Sequence, residues 1–200
     1  MCKLYLVDDD QDVLDSLGWM LDALDKPTES FLSATAFLDA IDLRQPAIAM
    51  LDIQMPQMDG IELLDNIKTA GSPMSIIMLT GHGTISMAVQ CIQKGAIDFL
   101  EKPVDGDKLV ILLEKAKQAT LASFNEQSQR DNVSNLIATL TKREHEVMLK
   151  VLEGKLNKVI ANELNIAQRT IELHRQRVMQ KMHVSNIAEL AFLLAKTPTE

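Results

Sequence analysis

Short apolar runs alternate along the front of this chain with stretches whose apolar residues recur every three or four positions. The run at 4–7 predicts a strand, and Val13, Leu14, Leu17, Met20, Leu21 and Leu24 then fall at helical spacing. The alternation continues with strands near 30–32, 47–51, 75–79 and 96–100. The intervening helices cover 34–42, 59–68 and 85–94, and a fifth helix runs from 109 to about 121. Asp59 with Glu62 makes the Asp-x-x-Glu capping pattern that opens the third of these helices. Five strands alternating with five helices predict a parallel sheet covered on both faces. The segment 123–135 is polar and nearly without core positions, so it predicts a linker, or an extension of the fifth helix into it. Beyond it the pattern is helical throughout. Thr141 with Glu144 opens a helix that ends near Gly154, followed by a short helix at 157–164 and a tight turn at Asn165-Ile166. A longer helix at 167–182 and a last one at 186–196 complete an all-α back half behind an α/β front half.

Charge divides the chain at the same place. The 200 residues carry a net −8, an average that argues against nucleic acid. Residues 1–120 hold 19 Asp/Glu against 9 Lys/Arg, a net of −10, whereas 121–200 hold 9 against 11, a net of +2. Two parts with different partners are expected. A 46% hydrophobic content supplies a core, and two cysteines, Cys2 and Cys91, are too few for a disulfide framework. Acidic residues by position 8 do not suit a signal peptide, and no apolar run approaches the ~18 residues of a membrane span. A cytoplasmic protein without a membrane partner is expected.

In an open parallel sheet, ligands sit beyond the carboxyl ends of the strands. Here the first strand ends in Asp8, Asp9 and Asp10, the third in Asp52, the fourth in Thr80 and the fifth in Glu101-Lys102-Pro103. An aspartate after a strand is often only a helix cap, and Asp10 or Asp12 suits that role for the first helix. The joint placement says more. Carboxylates crowded at one edge repel unless a hard divalent cation, Mg2+ or Mn2+, sits among them. With the Lys102 ammonium and the Thr80 hydroxyl, the set fits a phosphoryl group on a carboxylate nucleophile.

These residues also fall in a known arrangement. Val7-Asp8-Asp9-Asp10, Leu51-Asp52-Ile53-Gln54-Met55-Pro56-x-Met58-Asp59-Gly60, Leu79-Thr80-Gly81-His82-Gly83 and Phe99-Leu100-Glu101-Lys102-Pro103 resemble the receiver domain of two-component response regulators. The resemblance implies a doubly wound (βα)5 flavodoxin-like fold with strand order 2-1-3-4-5 over residues 1–120. It implies that Asp52 is the phosphoacceptor, paired with Lys102, and that Asp8, Asp9, Asp52 and the backbone carbonyl of Gln54 hold Mg2+. Thr80 and Phe99 would be the switch residues, the Lys102–Pro103 bond is commonly cis, and Gln54 and His82 are variable positions that influence phosphoryl lifetime.

Residues 140–181 hold nine Lys/Arg against five Glu, a local +4. A short helix, a tight turn and a longer basic helix is a helix-turn-helix arrangement. Arg169, Glu172, Leu173 and Gln176 fall on its outward face, where Gln, Glu and Leu suit base edges. Lys158, Thr170, Arg175, Arg177 and Lys181 suit phosphates. His174, between Ile171 and Val178, leans toward the core. The wording of the segment, Leu140-Thr141-x-Arg143-Glu144 and Gly154-x-x-Asn157-Lys158-x-Ile160-Ala161 through Lys181-Met182, resembles the LuxR-type DNA-binding domain. It implies a four-helix output domain at 138–200 behind a linker at 121–137. The whole chain thereby resembles the FixJ-type response regulators. That implies a sensor histidine kinase, promoter DNA and RNA polymerase as partners, with phosphorylation leading to a homodimer or to release of the output domain. Two helices depart from the family: Leu156 and Ala167 stand where Ser or Thr caps are frequent, and Asn157 is placed to take over one cap. The rival readings are a haloacid-dehalogenase-like phosphatase using Asp8 and Asp10, and a receiver-like regulator that works without phosphate.

Overall fold

The computed structural model describes residues 2–81 and 84–195. His82, Gly83 and the end of the last predicted helix at Lys196 lie outside the described residues. The chain divides into two compact units, Met1–Asn125 and Glu126–Glu200.

In the first unit, strands β1 (Lys3–Val7), β2 (Thr28–Phe31), β3 (Ala47–Asp52), β4 (Ser75–Thr80) and β5 (Asp98–Glu101) form one parallel sheet in the order β2-β1-β3-β4-β5. The helices between them are α1 (Gln11–Asp22), α2 (Ala34–Ala40), α3 (Gly60–Thr69) and α4 (Ile85–Gln93), with α5 (Gly106–Ala138) after the last strand. β3 and β4 are buried at all six of their positions, as expected of central strands covered on both faces. Successive side chains leave a strand on opposite faces, so one sheet feeds two cores. Tyr5, Val7, Ala49, Leu51, Ile76 and Met78 meet Phe37 of α2, Leu63, Leu64 and Ile67 of α3, and Cys91 of α4. Leu4, Leu6, Ile48, Met50, Ile77 and Leu79 meet Leu14, Leu17 and Leu21 of α1 and Leu109, Leu112, Leu113 and Ala116 of α5. Asp10 caps α1 and the Asp59/Glu62 box caps α3.

Several boundaries differ from those read in the sequence, the starts of β2 at Thr28 and of α5 at Gly106 among them. The fifth strand starts at Asp98, two residues late. Ala96 and Ile97 are spent on the turn out of α4, their amides donating to the carbonyls of Cys91 and Ile76. The fifth helix takes the longer of its two expected courses, running 33 residues to Ala138 through the polar stretch. Its apolar face thins early, yet neither Gly nor Pro interrupts residues 107–138, so neither breaks the backbone ladder over that length. Inside the first unit α5 is pinned by Thr120, fully buried, whose hydroxyl donates to the Ala47 carbonyl at 3.3 Å and accepts from the Ser75 amide at 3.2 Å.

In the second unit, α6 (Lys142–Leu152) opens on the Thr141/Glu144 box. α7 (Asn157–Leu164), α8 (Gln168–Lys181) and α9 (Ile187–Ala195) follow. Asn165, in the left-handed conformation, makes the sharp turn between α7 and α8. Val147, Val151, Ile160, Ala161 and Ile171 close one core between α6, α7 and α8, and Met148, Val178, Met182 and Leu190 close another that adds α9.

Candidate functional site

The carboxyl edge of the sheet gathers the polar strand ends. Asp8 follows β1 and is buried, Asp52 ends β3 and is buried, and Asp9 is exposed beside them. Carboxylate oxygens of Asp8, Asp9 and Asp52 all lie within 4.8 Å of one another. Lys102, just past β5 and before a cis peptide bond to Pro103, reaches across the edge. Its ammonium donates to Asp52 Oδ1 at 2.6 Å and to Asp8 Oδ2 at 2.5 Å. The other oxygens are also engaged, Asp52 Oδ2 by the Gln54 amide at 2.7 Å and Asp8 Oδ1 by the Asp10 amide at 3.1 Å. Burial pushes the Asp8 carboxyl up, against the hydrogen bonds from Lys102 and the Asp10 amide. Burial works against the Lys102 ammonium too, but its hydrogen bonds to Asp52 and Asp8 outweigh that and raise its pKa. Thr80 is buried at the end of β4, and its carbonyl accepts from the Lys102 amide at 2.7 Å. Phe99 lies half-buried on β5 against the core that includes Cys91 and Met87.

Three converging carboxylates, two of them buried, are the hard oxygen donor set that a Mg2+-sized cation takes while keeping waters and phosphate oxygens. The residues present therefore fit such an ion. Asp10 does not join them. Its carboxylate accepts from the Asp12 amide at 2.9 Å as the α1 cap, which removes the second carboxylate that a phosphatase built on Asp8 and Asp10 needs.

The second site is the face of α7 and α8. Arg169, Leu173, Gln176 and Arg177 are exposed along α8, and Lys158 is exposed at the start of α7. Thr170 is half-buried. Glu172 accepts from Arg169 at 3.2 Å and from Gln168 at 3.5 Å. Arg175 is half-buried, and its guanidinium donates to Asn157 Oδ1 at 2.6 Å. His174 packs inward with a buried Nδ1 that has no hydrogen-bond partner.

Two expectations change here. Lys181 is not an open phosphate donor, because its ammonium bonds the buried Glu144 at 2.6 Å and the Thr139 carbonyl at 2.9 Å. That pair, with the Thr141 amide, holds the Glu144 carboxyl down to about 2. Nor does Asn157 cap α7. Neither Leu156 nor Ala167 gives its helix a side-chain cap, and the Asn157 side-chain carbonyl is turned to Arg175 instead. Sequence reasoning missed Asn157 at this face, since a residue at a helix start signals capping before it signals a contact to another helix.

Comparison with known proteins matches residues 4–114 to the response regulator receiver domain and residues 138–194 to the bacterial regulatory proteins of the luxR family. The transcriptional regulatory protein FixJ of Bradyrhizobium diazoefficiens is 40% identical over 191 residues, 95% of this chain and 93% of that protein. The tetrathionate response regulatory protein TtrR of Salmonella typhimurium is 36% identical over 95% of this chain and 90% of its own length. Among solved structures, the response regulator StyR superposes with a TM-score of 0.84 at 34% identity, covering 97% of this chain and 98% of its own. Full-length FixJ from B. japonicum superposes with a TM-score of 0.59 at 37% identity, covering 98% and 96%.

Proposed function

Because the chain belongs to the FixJ-like response regulators, which join a receiver domain to a LuxR-type DNA-binding domain, we propose that Asp52 is its phosphoacceptor and that phosphorylation there governs the output. The chain is a two-component, DNA-binding transcriptional regulator, and a sensor kinase and DNA are its partners. The observation that carries the Asp52 reading is the Lys102 ammonium bonded to Asp52 and Asp8 at once, beside a third carboxylate.

The Asp52 carboxylate attacks the phosphorus of the kinase's phosphohistidine. The P–N bond breaks, and its electron pair leaves with the imidazole. Lys102 then balances charge on the phosphoryl oxygens, and the Thr80 hydroxyl donates to one of them. Asp8, Asp9, Asp52 and the Gln54 carbonyl would hold a Mg2+ or Mn2+ ion, which when bound would supply positive charge against the developing phosphate. The receiver thus assists its own phosphorylation and dephosphorylation without turning over an outside substrate. Movement of Thr80 and Phe99 passes to residues 85–100, where exposed Ile85, Val89 and Ile92 of α4 suit a homodimer contact. We assign the receiver to 1–120, a helical linker to 121–137 and the output to 138–200, with RNA polymerase as the final partner. Among the described residues no helix is long and apolar enough to cross a membrane. The cysteines stand as separate thiols, which suits a reducing cytoplasm.

The test is treatment of the full chain with acetyl phosphate and Mg2+, read by intact mass. One added phosphoryl group that disappears in Asp52→Asn supports the reading; undiminished modification of Asp52→Asn refutes it.

A further inference from the structure

The contact between Asn157 and Arg175 joins the first residue of α7 to the third turn of α8, 18 residues away in sequence. It lies in the wall of an open hollow lined by Leu156, Asn157, Lys158, Gln168, Glu172 and Arg175. On α8 the three lining residues stand four and then three apart, so they share one face. The lining carries both signs of charge. Lys158 and Arg175 are its cations, beside the positive start of α7. Glu172 is its one carboxylate, already taken by Arg169 and Gln168.

A guanidinium carries five N–H donors in a rigid fork. The bond to Asn157 engages one nitrogen, Nη1, and restrains the fork, leaving donors on the other nitrogens for an incoming partner. Arg175 is half-buried, so its long stem has already lost much of its freedom before any partner arrives. Asn157 costs the site no charge, because a neutral amide oxygen holds the cation without neutralising it. A carboxylate at 157 would hold it as firmly and cancel it.

We propose that Asn157 is a positioning residue for DNA binding: it orients Arg175 so that the guanidinium, with Lys158 beside it, forms a preorganised seat for one backbone phosphate. The inference rests on the DNA-binding reading of this unit and adds to it a residue with no direct charge. Without the amide oxygen Arg175 keeps its charge and loses its aim.

The test uses the full chain treated with beryllofluoride and a duplex selected by it from a random-sequence library. Affinity is measured over a range of salt for wild type, Asn157→Ala, Arg175→Ala and the double variant. Arg175→Ala is expected to weaken binding roughly tenfold and to lower the salt slope by about 0.9, the value for one phosphate no longer neutralised. Asn157→Ala is expected to weaken binding roughly fivefold with most of the slope kept, and to add nothing in the Arg175→Ala background. Arg175→Lys, with its charge but no fork, should behave like Asn157→Ala. A purely structural tie between α7 and α8 would instead lower the melting temperature of Asn157→Ala and leave its affinity for DNA unchanged, and that result overturns the proposal. So does a full additional loss from Asn157→Ala in the Arg175→Ala background. A wild-type chain that binds no duplex overturns both this inference and the DNA-binding reading, whereas a binding wild type with an unaffected Asn157→Ala overturns this inference alone.

Discussion

Replacing Gly60 by alanine should destabilise the first unit and disturb Asp52 together, and the size of the effect follows from three distances. Gly60 opens α3 directly against the end of β3, its amide donating to the Ile53 carbonyl at 3.0 Å. A Cβ there would lie 2.0 Å from the Asp52 carbonyl oxygen, 2.9 Å from the Asp52 carbonyl carbon and 3.1 Å from the Ile53 Cα. Ordinary contact begins at 3.4 Å, so α3 or the turn before it must move by more than an ångström. All three atoms are backbone, so no rotamer change relieves the clash. Overpacking that side chains can absorb costs ~1–3 kcal/mol, and a clash with backbone belongs at the upper end, about 3 kcal/mol. For a unit of this size that lowers the melting temperature by about 10 °C.

The same substitution at Gly18 should act the other way. Gly18 sits inside α1, and the nearest atom to its Cβ position is the Thr28 hydroxyl at 4.0 Å. Alanine there gains ~1 kcal/mol of helix propensity, a rise of about 4 °C. Calorimetry of the full chain measures both, and amide exchange in β3 and β4 identifies the transition of this unit. The rate of modification by acetyl phosphate should fall in Gly60→Ala well below its melting temperature and stay at the wild-type value in Gly18→Ala. A Gly60→Ala variant as stable and as reactive as wild type would refute the close approach of α3 to β3.

Other expectations concern ions and pH. Mg2+ should stabilise the first unit by RT ln(1 + [L]/Kd), about 2.7 kcal/mol at a hundred times Kd and read as a higher melting temperature, and Asp9→Asn should reduce the gain in the same calorimetric experiment. Lys181→Ala leaves the buried Glu144 without its cation. The cost should be about 2 kcal/mol, below the ~3–5 of a fully buried pair because Lys181 is partly open to water, and amide exchange in α6 reads it. Glu144 is held below its unfolded value, so its contribution is complete above about pH 4.5 and is lost as pH falls through about 2. Glu144→Gln should flatten that acid limb in amide exchange of α6.

The receiver half was legible because its chemistry lies at the ends of hydrophobic runs. Once 47–51 and 75–79 read as buried strands, topology alone put Asp8, Asp52, Thr80 and Lys102 on one edge, whatever the packing between them. The helix that closes this unit was legible only over its apolar face. A stop in amphipathicity at about residue 121 leaves both a linker and a longer helix open, and the absence of Gly and Pro from residues 107–138 favours the longer helix. The polar stretch up to 135 carries little packing beyond the buried Val133, and the backbone continues through it.

Charge in the back half shows a different limit. The local +4 counts every cation alike, and tertiary structure does not treat them alike. Lys181 is bound to Glu144, and Lys150 and Lys155 both clasp Glu163. Lys181 ties α8 to α6, Lys150 ties α6 to α7 and Lys155 ties the loop between them to α7, so these three hold the unit together and are spent before the proposed DNA face is counted. The cations left to that face are Lys158, Arg175 and Arg177, with Arg169 loosely paired to Glu172 and almost fully exposed. No count of charges separates the two groups, since the distinction lies in which carboxylate folding brings near. The set proposed to face DNA is therefore small and its geometry matters more than its sum, so on that proposal a neutral side chain such as Asn157, invisible to any charge argument, decides how one of those cations is aimed.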